Sequence, residues 1–308
     1  MKMATTTADF RSYVKSDAEA VRAFEGTGFK HLDFSFYESN YDGSPFMSNN
    51  WVKGIAAASK EAEKLGIDFL QAHSPKNDIF CDDFDTVVKG NIRSIEACGY
   101  LGINKLVVHS GRDRNLKGAH NVRKYNEAVC RLYEALYPAM EKHNVYVLAE
   151  NYTPAGDSET CSYYTGEDLC TLMELCDHPL MGVCWDIGHA NLMFPDEQYK
   201  HIMKLGKYLQ AVHIQDNFGA RDDHISPFIG TVDIDAVMNG LKDSGFIEKG
   251  GVFTFEADSL LSNPQTWMNR KNSKHTDVYP GLEVRQQAER LLYEIGKHIL
   301  TEYGCFED

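Results

Sequence analysis

Eight short apolar runs, each closed by a polar residue and followed by an amphipathic stretch, recur along the chain and constrain its fold more than any other feature. The runs cover 2–6, 31–34, 68–72, 105–108, 145–149, 182–185, 209–212 and 252–255. Most are rich in β-branched or aromatic residues and are apolar throughout rather than alternating. That is the pattern of strands covered on both faces, as in a parallel sheet. Helical patterns fill the intervals at 17–27, 51–65, 82–101, 122–142, 166–176, 196–206, 234–244 and 283–301. Ser16 is the expected N-cap of the first. Gly28, Gly66 and Gly102 follow the ends of the first three. Pro138 is expected to bend or break the fourth.

Strands alternating with helices at this spacing specify an α/β architecture, and eight units suit a single-domain (β/α)8 TIM barrel. A doubly wound open sheet would usually carry a glycine-rich phosphate loop after an early strand. The glycines here cluster at helix ends instead. The 308 residues, 43% of them hydrophobic and 25% charged, suit one large core and exclude disorder, collagen or coiled coil as the main theme.

In a barrel the C-terminal ends of all strands open onto one face, where chemistry takes place. The residues ending the last six runs are therefore diagnostic: His73, His109, Glu150, Asp186, His213 and Glu256. Several carboxylates brought together out of water need a compensating cation. Glu150, Asp186, His213 and Glu256 form a set of three oxygens and one nitrogen. It suits one divalent ion such as Mn2+, Mg2+, Co2+ or Zn2+, with coordination positions left for substrate. His73 and His109 are read either as further ligands or as lining of the substrate pocket. His189, just beyond Asp186, is read as a substrate contact or as a support for the metal ligands. The charged segment 221–233, with its Pro and Gly, is a rim loop that brings His224 and Arg221 over the pocket, Arg221 to hold a substrate oxyanion or phosphate. Trp185, Phe34, Phe36 and Tyr37 are candidate walls for a sugar-like ligand. Asp33, at the end of the second run, is a further candidate.

The remaining composition narrows the partners. Against 31 basic residues stand 45 acidic ones, a net charge of −14 that disfavours nucleic acid. No run of 18 apolar residues crosses a membrane, and 1–7 lacks the apolar stretch of a signal peptide. Eight scattered cysteines without a Cys-x-x-Cys pair read as reduced, mostly buried thiols of a cytoplasmic protein.

At Ala149-Glu150-Asn151, Trp185-Asp186-Ile187-Gly188-His189, Val212-His213-Ile214-Gln215-Asp216, His224 through Asp233, and Phe255-Glu256-Ala257, the sequence resembles the xylose isomerase-like TIM-barrel superfamily. That group includes sugar phosphate isomerases and epimerases and the family 2 AP endonucleases. The resemblance spans nearly the whole chain and implies one such domain over 1–308, with 259–282 as an insertion after the last strand. This insertion is read as a cap on the pocket or a subunit contact in a homo-oligomer. The resemblance implies a metal-dependent, preferentially manganese-dependent, isomerase or epimerase of a carbohydrate. Its metal would be held by Glu150, Asp186, His213 and Glu256, with Glu150 and Glu256 as catalytic acid and base and a metal-bound enediolate between them. Substrate would contact His73, His109, His189, Arg221 and His224. An arginine usually follows the seventh-strand histidine in such enzymes. Here that register holds Gly219, and Arg221 is nearest. The same family includes metal-dependent lyases and dehydratases of polyols, inososes or glycosides, C-glycosides among them. It also includes tri-zinc apurinic endonucleases, whose ligands have counterparts here in His73, His109, Glu150, Asp186, His189, His213, Asp222, His224 and Glu256.

Overall fold

The computed structural model describes residues 1–41, 43–76, 78–153, 159–257, 259 and 280–307. Eight parallel strands close into a barrel in chain order: β1 (Met3–Thr6), β2 (His31–Ser35), β3 (Asp68–His73), β4 (Lys105–Val107), β5 (Tyr146–Glu150), β6 (Met181–Asp186), β7 (Leu209–Ile214) and β8 (Phe253–Phe255). β8 pairs back onto β1, so no edge is left open. The single-domain TIM barrel expected from the sequence is the fold of the chain.

The helices form the outer layer: α1 (Asp17–Ala23), α2 (Val52–Leu65), α3 (Phe84–Leu101), α4 (Val122–His143), α5 (Gly166–Cys176), α6 (Ile187–Asn191), α7 (Gln198–Leu205), α8 (Ile234–Asp243) and α9 (Leu282–Glu302). Ser16 caps α1 by accepting from the Glu19 amide. Gly66 and Gly102 end α2 and α3 in the left-handed conformation, with φ of 65° and 74°, where a Cβ is disfavoured. α4 departs from expectation and runs unbroken through Pro138. Buried Tyr133 and Leu136 before the proline and Met140 after it hold both halves against the sheet. The expected helix over 196–206 begins with a 3-10 turn, Pro195–Glu197, before α7. The one-turn α6 falls between the apolar run at 182–185 and the helical pattern at 196–206, where no helix was expected. Apart from 259 and 280–282, the expected insertion lies outside the described residues.

Two apolar regions follow from the period of two along a strand. Outward residues such as Leu32, Leu106, Val147 and Val183 join the helices in the main core. Inward residues form a second, small cluster of Val107, Leu148, Cys184 and Ala211. Each of these precedes a candidate site residue by two positions: His109, Glu150, Asp186 and His213. The cluster is thus an apolar floor beneath part of the barrel mouth. Five of the eight cysteines are buried and no disulfide links any of them. No helix among the described residues is long and apolar enough to cross a membrane.

Outside the barrel, α1 and α2 are joined by a two-pronged ion pair. Arg22 Nε and Nη2 donate to Glu61 Oε1 and Oε2 at 2.8 and 3.0 Å, and Lys64 adds a bond at 3.3 Å. The Arg22 hydrogen bond outweighs burial and, with Lys64, lowers the Glu61 carboxyl to about 2. A depressed carboxyl stabilises the fold above its unfolded value and loses that contribution as pH falls through the folded one. Glu61→Gln should therefore be less stable than the wild type at neutral pH, by a margin kept modest by solvent screening. In urea titrations the margin should close between pH 4.5 and about 2. A margin unchanged at the acid end contradicts the assignment.

Candidate active site

Strand register brings the site together. β6 and β7 place Asp186 opposite His213, and β5 and β6 place Glu150 opposite Cys184. Glu256 follows β8 by one residue, and His109 follows β4 by two. Ligand atoms of Glu150, Asp186, His213 and Glu256 all lie within 4.8 Å of one another. Two flanking groups meet the same criterion: His73, His109 and Glu150 on one side, and His189, Asp222 and His224 on the other. Of these residues the histidines, Asp222 and Glu256 line a pocket of about 290 Å³, whereas Glu150 and Asp186 are buried behind them.

Glu150 is the hub. Its Oε2 accepts from His109 Nε2 at 2.6 Å, and its Oε1 accepts from His213 Nδ1 at 2.8 Å. Glu256 Oε2 lies 3.0 Å from the same His213 nitrogen, so the two glutamates converge on one edge of the imidazole. Burial pushes the Glu150 carboxyl up, but His213, His109 and His73 together hold it well below the usual carboxylate range. Burial likewise raises Glu256, and His213 overrides it and lowers the group to about 2. On the far edge of His213, Nε2 lies 2.8 Å from Gln71 Nε2, which also donates to Asp33 Oδ2 at 2.9 Å.

Asp186 is not satisfied in this way. Its Oδ1 accepts from the His189 amide at 2.6 Å and from Gln215 Nε2 at 3.3 Å. Its Oδ2 is buried without a hydrogen-bond partner. Burial, only partly countered by His189 and reinforced by the neighbouring carboxylates, raises its pKa to about 6. An orphaned buried carboxylate oxygen is costly, and here it faces two more carboxylates and an imidazole. That donor set fits a divalent cation of hard to borderline character.

Three further imidazoles share one orientation. A carbonyl oxygen can only accept, so His73 Nδ1 donates to Ser74 (3.0 Å), His189 Nδ1 to Asn151 (2.7 Å) and His224 Nδ1 to Glu256 (2.8 Å). Their Nε2 atoms face the cluster. His73 Nε2 is buried without a partner, 3.8 Å from Glu150 Oε2. His189 and His224 Nε2 lie 3.3 and 3.2 Å from Asp222 Oδ2. Burial opposes the charged form of His189, but Asp186 and Asp222 raise its pKa to about 10. Gly188 permits this packing, since a Cβ there would stand 2.1 Å from the Gln215 side chain.

Four of the expected substrate residues, His73, His109, His189 and His224, line the pocket, and Tyr37 and Asp33 line it too. Asp33 lies within β2, two residues before its end. Arg221 does not line the pocket. Its side chain is 83% exposed and pairs with Asp223 on the outer face of the rim loop. Trp185 does not line it either: it is fully buried behind β6, donating to Gln198. Phe34 and Phe36 pack in the core between sheet and helices. Outward-facing strand residues meet helices rather than the mouth, which explains all three aromatic corrections. Sequence reasoning missed Gln71, Arg112 and Tyr152. Gln71 was accessible from the period of two, since it precedes His73 on the same face. Arg112 and Tyr152 sit in loops after strand ends, where no period applies.

A family model described as a xylose isomerase-like TIM barrel matches residues 21–270. The chain belongs to that family. Among its relatives, the uncharacterized protein y4fM of Sinorhizobium fredii is 28% identical over 153 residues, 49% of this chain and 47% of that protein. The chain thus spans about half the length of that relative. Among solved structures, a D-tagatose 3-epimerase-like protein superposes with a TM-score of 0.71 at 17% identity, over 98% of this chain and 100% of its own. The IolI protein, solved with a zinc atom bound, gives a TM-score of 0.72 at 14% identity, with both chains wholly covered. At these identities the likeness is one of fold. This xylose isomerase-like barrel keeps its own local supports. Asn151 Oδ1 accepts from the Asp186 amide at 2.7 Å, and its Nδ2 donates to the Asp186 carbonyl at 2.9 Å. Asn151→Ala strands both buried groups and should cost about 1–3 kcal/mol of stability. A denaturant midpoint indistinguishable from wild type contradicts that role.

Proposed function

We propose that the protein is a metal-dependent isomerase or epimerase of a carbohydrate, acting by proton abstraction beside a carbonyl. The observation that carries this reading is the pair of glutamates, Glu150 and Glu256, gathered at one nitrogen of His213, with the orphaned Asp186 oxygen in the same cluster. The four residues Glu150, Asp186, His213 and Glu256 would hold the ion, manganese being our first choice and Mg2+, Co2+ or Zn2+ the others. A divalent ion bound there supplies Lewis acidity, lowering the pKa of the carbon acid beside a substrate carbonyl. Fold neighbours of the epimerase type and the zinc in the IolI protein support a metal and a sugar.

The chain's own residues supply the rest. One glutamate, ionised at neutral pH, takes the proton from substrate carbon. The other, held at the same His213 nitrogen, returns it. Return to the opposite face of the same carbon gives an epimer. Return to the neighbouring carbon gives an aldose–ketose isomer. His73, His189 and His224, each fixed through Nδ1–H on a carbonyl, line the pocket that would receive the substrate. Gln71, anchored on Asp33, holds the outer edge of His213 and so its direction.

The flanking sets His73–His109–Glu150 and His189–Asp222–His224 favour a second reading, a three-ion phosphodiesterase acting on abasic DNA. The net charge of −14 weighs against a DNA substrate. A lyase or dehydratase of a polyol, inosose or glycoside would use the same metal and base.

The test is solvent deuterium uptake into keto-sugars in the presence of divalent ions. Wild type should incorporate deuterium at a carbon next to the carbonyl. Glu150→Gln and Glu256→Gln should each slow turnover by about 10²-fold or more. Exchange at wild-type rate in Glu150→Gln rules out its role as acid or base. Hydrolysis of abasic DNA without sugar exchange transfers the site to the second reading.

A further inference from the structure

Arg112 is the one lysine or arginine among the described residues that line the pocket. It stands in the loop after β4, three residues past His109. Gly111, at φ 82°, makes the turn that delivers it. Its guanidinium lies over the Tyr152 ring, 5.1 Å from the centroid, and Nη1 donates to the Thr153 carbonyl. The Tyr152 hydroxyl accepts from the Gly111 amide at 2.7 Å, which locks the ring beneath the guanidinium. The Tyr152 ring in turn packs 5.3 Å from His109, which bonds Glu150.

A guanidinium beside so acidic a cluster has an obvious local role, that of neutralising it. Arg112 does not take that role. No carboxylate among the described residues forms an ion pair with it, whereas Arg11, Arg22 and Arg221 each pair with one and Arg285 with two. One of its five N–H donors is used by a carbonyl. The side chain is half-buried and lines the pocket. The stacked, pre-oriented fork of an arginine is suited to grip a carboxylate or a phosphate with two oxygens at once. Tyr152 and His109 separate it from Glu150, and the carboxylate beside its own backbone, Asp78, accepts from the Arg112 amide rather than from the guanidinium.

We propose that the substrate is an anionic sugar, carrying a phosphate or a carboxylate that Arg112 receives while the reacting carbons lie at the Glu150–Glu256 end of the pocket. The inference rests on the carbohydrate reading above and adds the substrate class to it. Arg112 then fills the place that Arg221, on the outer face of the rim loop, leaves empty. A ligand bound this way extends along the His109–Tyr152 wall.

Three probes with one carbon skeleton test it: a neutral ketohexose, its 6-phosphate and the corresponding keto-hexuronate. Calorimetric binding of each to wild type, Arg112→Met and Arg112→Lys, with Mn2+ present, gives the comparison. At least one anionic probe should bind wild type about tenfold or more tightly than the neutral sugar. That preference should collapse in Arg112→Met and survive in part in Arg112→Lys, with both variants melting as cooperatively as wild type. Whichever anion is preferred identifies the group. Neutral sugar binding as tightly as both anions overturns the proposal, as does an Arg112→Met variant in which all three probes weaken equally. Deuterium uptake is read separately. Exchange of neutral ketoses with no anion preference sinks this inference and spares the isomerase reading. Anion preference lost in Arg112→Met without exchange of any sugar does the reverse.

Discussion

Three carboxylates crowd the mouth of this barrel, and the cost of burying them governs the site. Glu150 is relieved by His109 and His213, and Glu256 by His213. Asp186 is left with a buried oxygen that nothing in the described chain satisfies. Protonating it, as its raised pKa favours, is one remedy; a cation shared with its neighbours is a stronger one. The remaining features of the site follow from that need. Asn151 pins the Asp186 backbone, Gln71 pins His213, and Gly188 leaves room for Gln215 to reach Asp186.

The barrel can carry this burden because its layers divide the work. The main core between sheet and helices is apolar and makes the fold. Inside the barrel, Val107, Leu148, Cys184 and Ala211 form a dry floor under the β4–β7 side of the mouth. Under the opposite side the inward residues are polar, with Asp33, Gln71 and Thr254 buried there. The acid cluster thus rests partly on hydrocarbon and partly on a fixed amide, an arrangement that limits solvent relaxation around it. The fold sets where chemistry takes place, and the side chains at the strand ends set which chemistry.

Most of this was legible in the sequence because periodic patterns encode it. Uninterrupted apolar runs mark the parallel strands, and the polar residues that close them, His73, Glu150, Asp186, His213 and Glu256, lie at or next to the strand ends. What escaped has a physical cause in each case. Pro138 lacks a helical donor, yet packing of Tyr133, Leu136 and Met140 carries α4 through it. Trp185 looked like a sugar wall, but it alternates with Cys184 and Asp186 and so faces the helices. Arg221 and Arg112 both follow strands in polar loops. Nothing in the local sequence tells that one turns outward to Asp223 and the other stacks inward on Tyr152.

The central claim is that Glu150, Asp186, His213 and Glu256 surround one divalent ion. Anomalous diffraction from crystals grown with Mn2+ tests it most directly. The account requires a single strong peak within coordination distance of all four side chains, lost in Asp186→Asn. Absence of a peak there, or equal peaks at the His73–His109 and His189–Asp222–His224 sets, contradicts it.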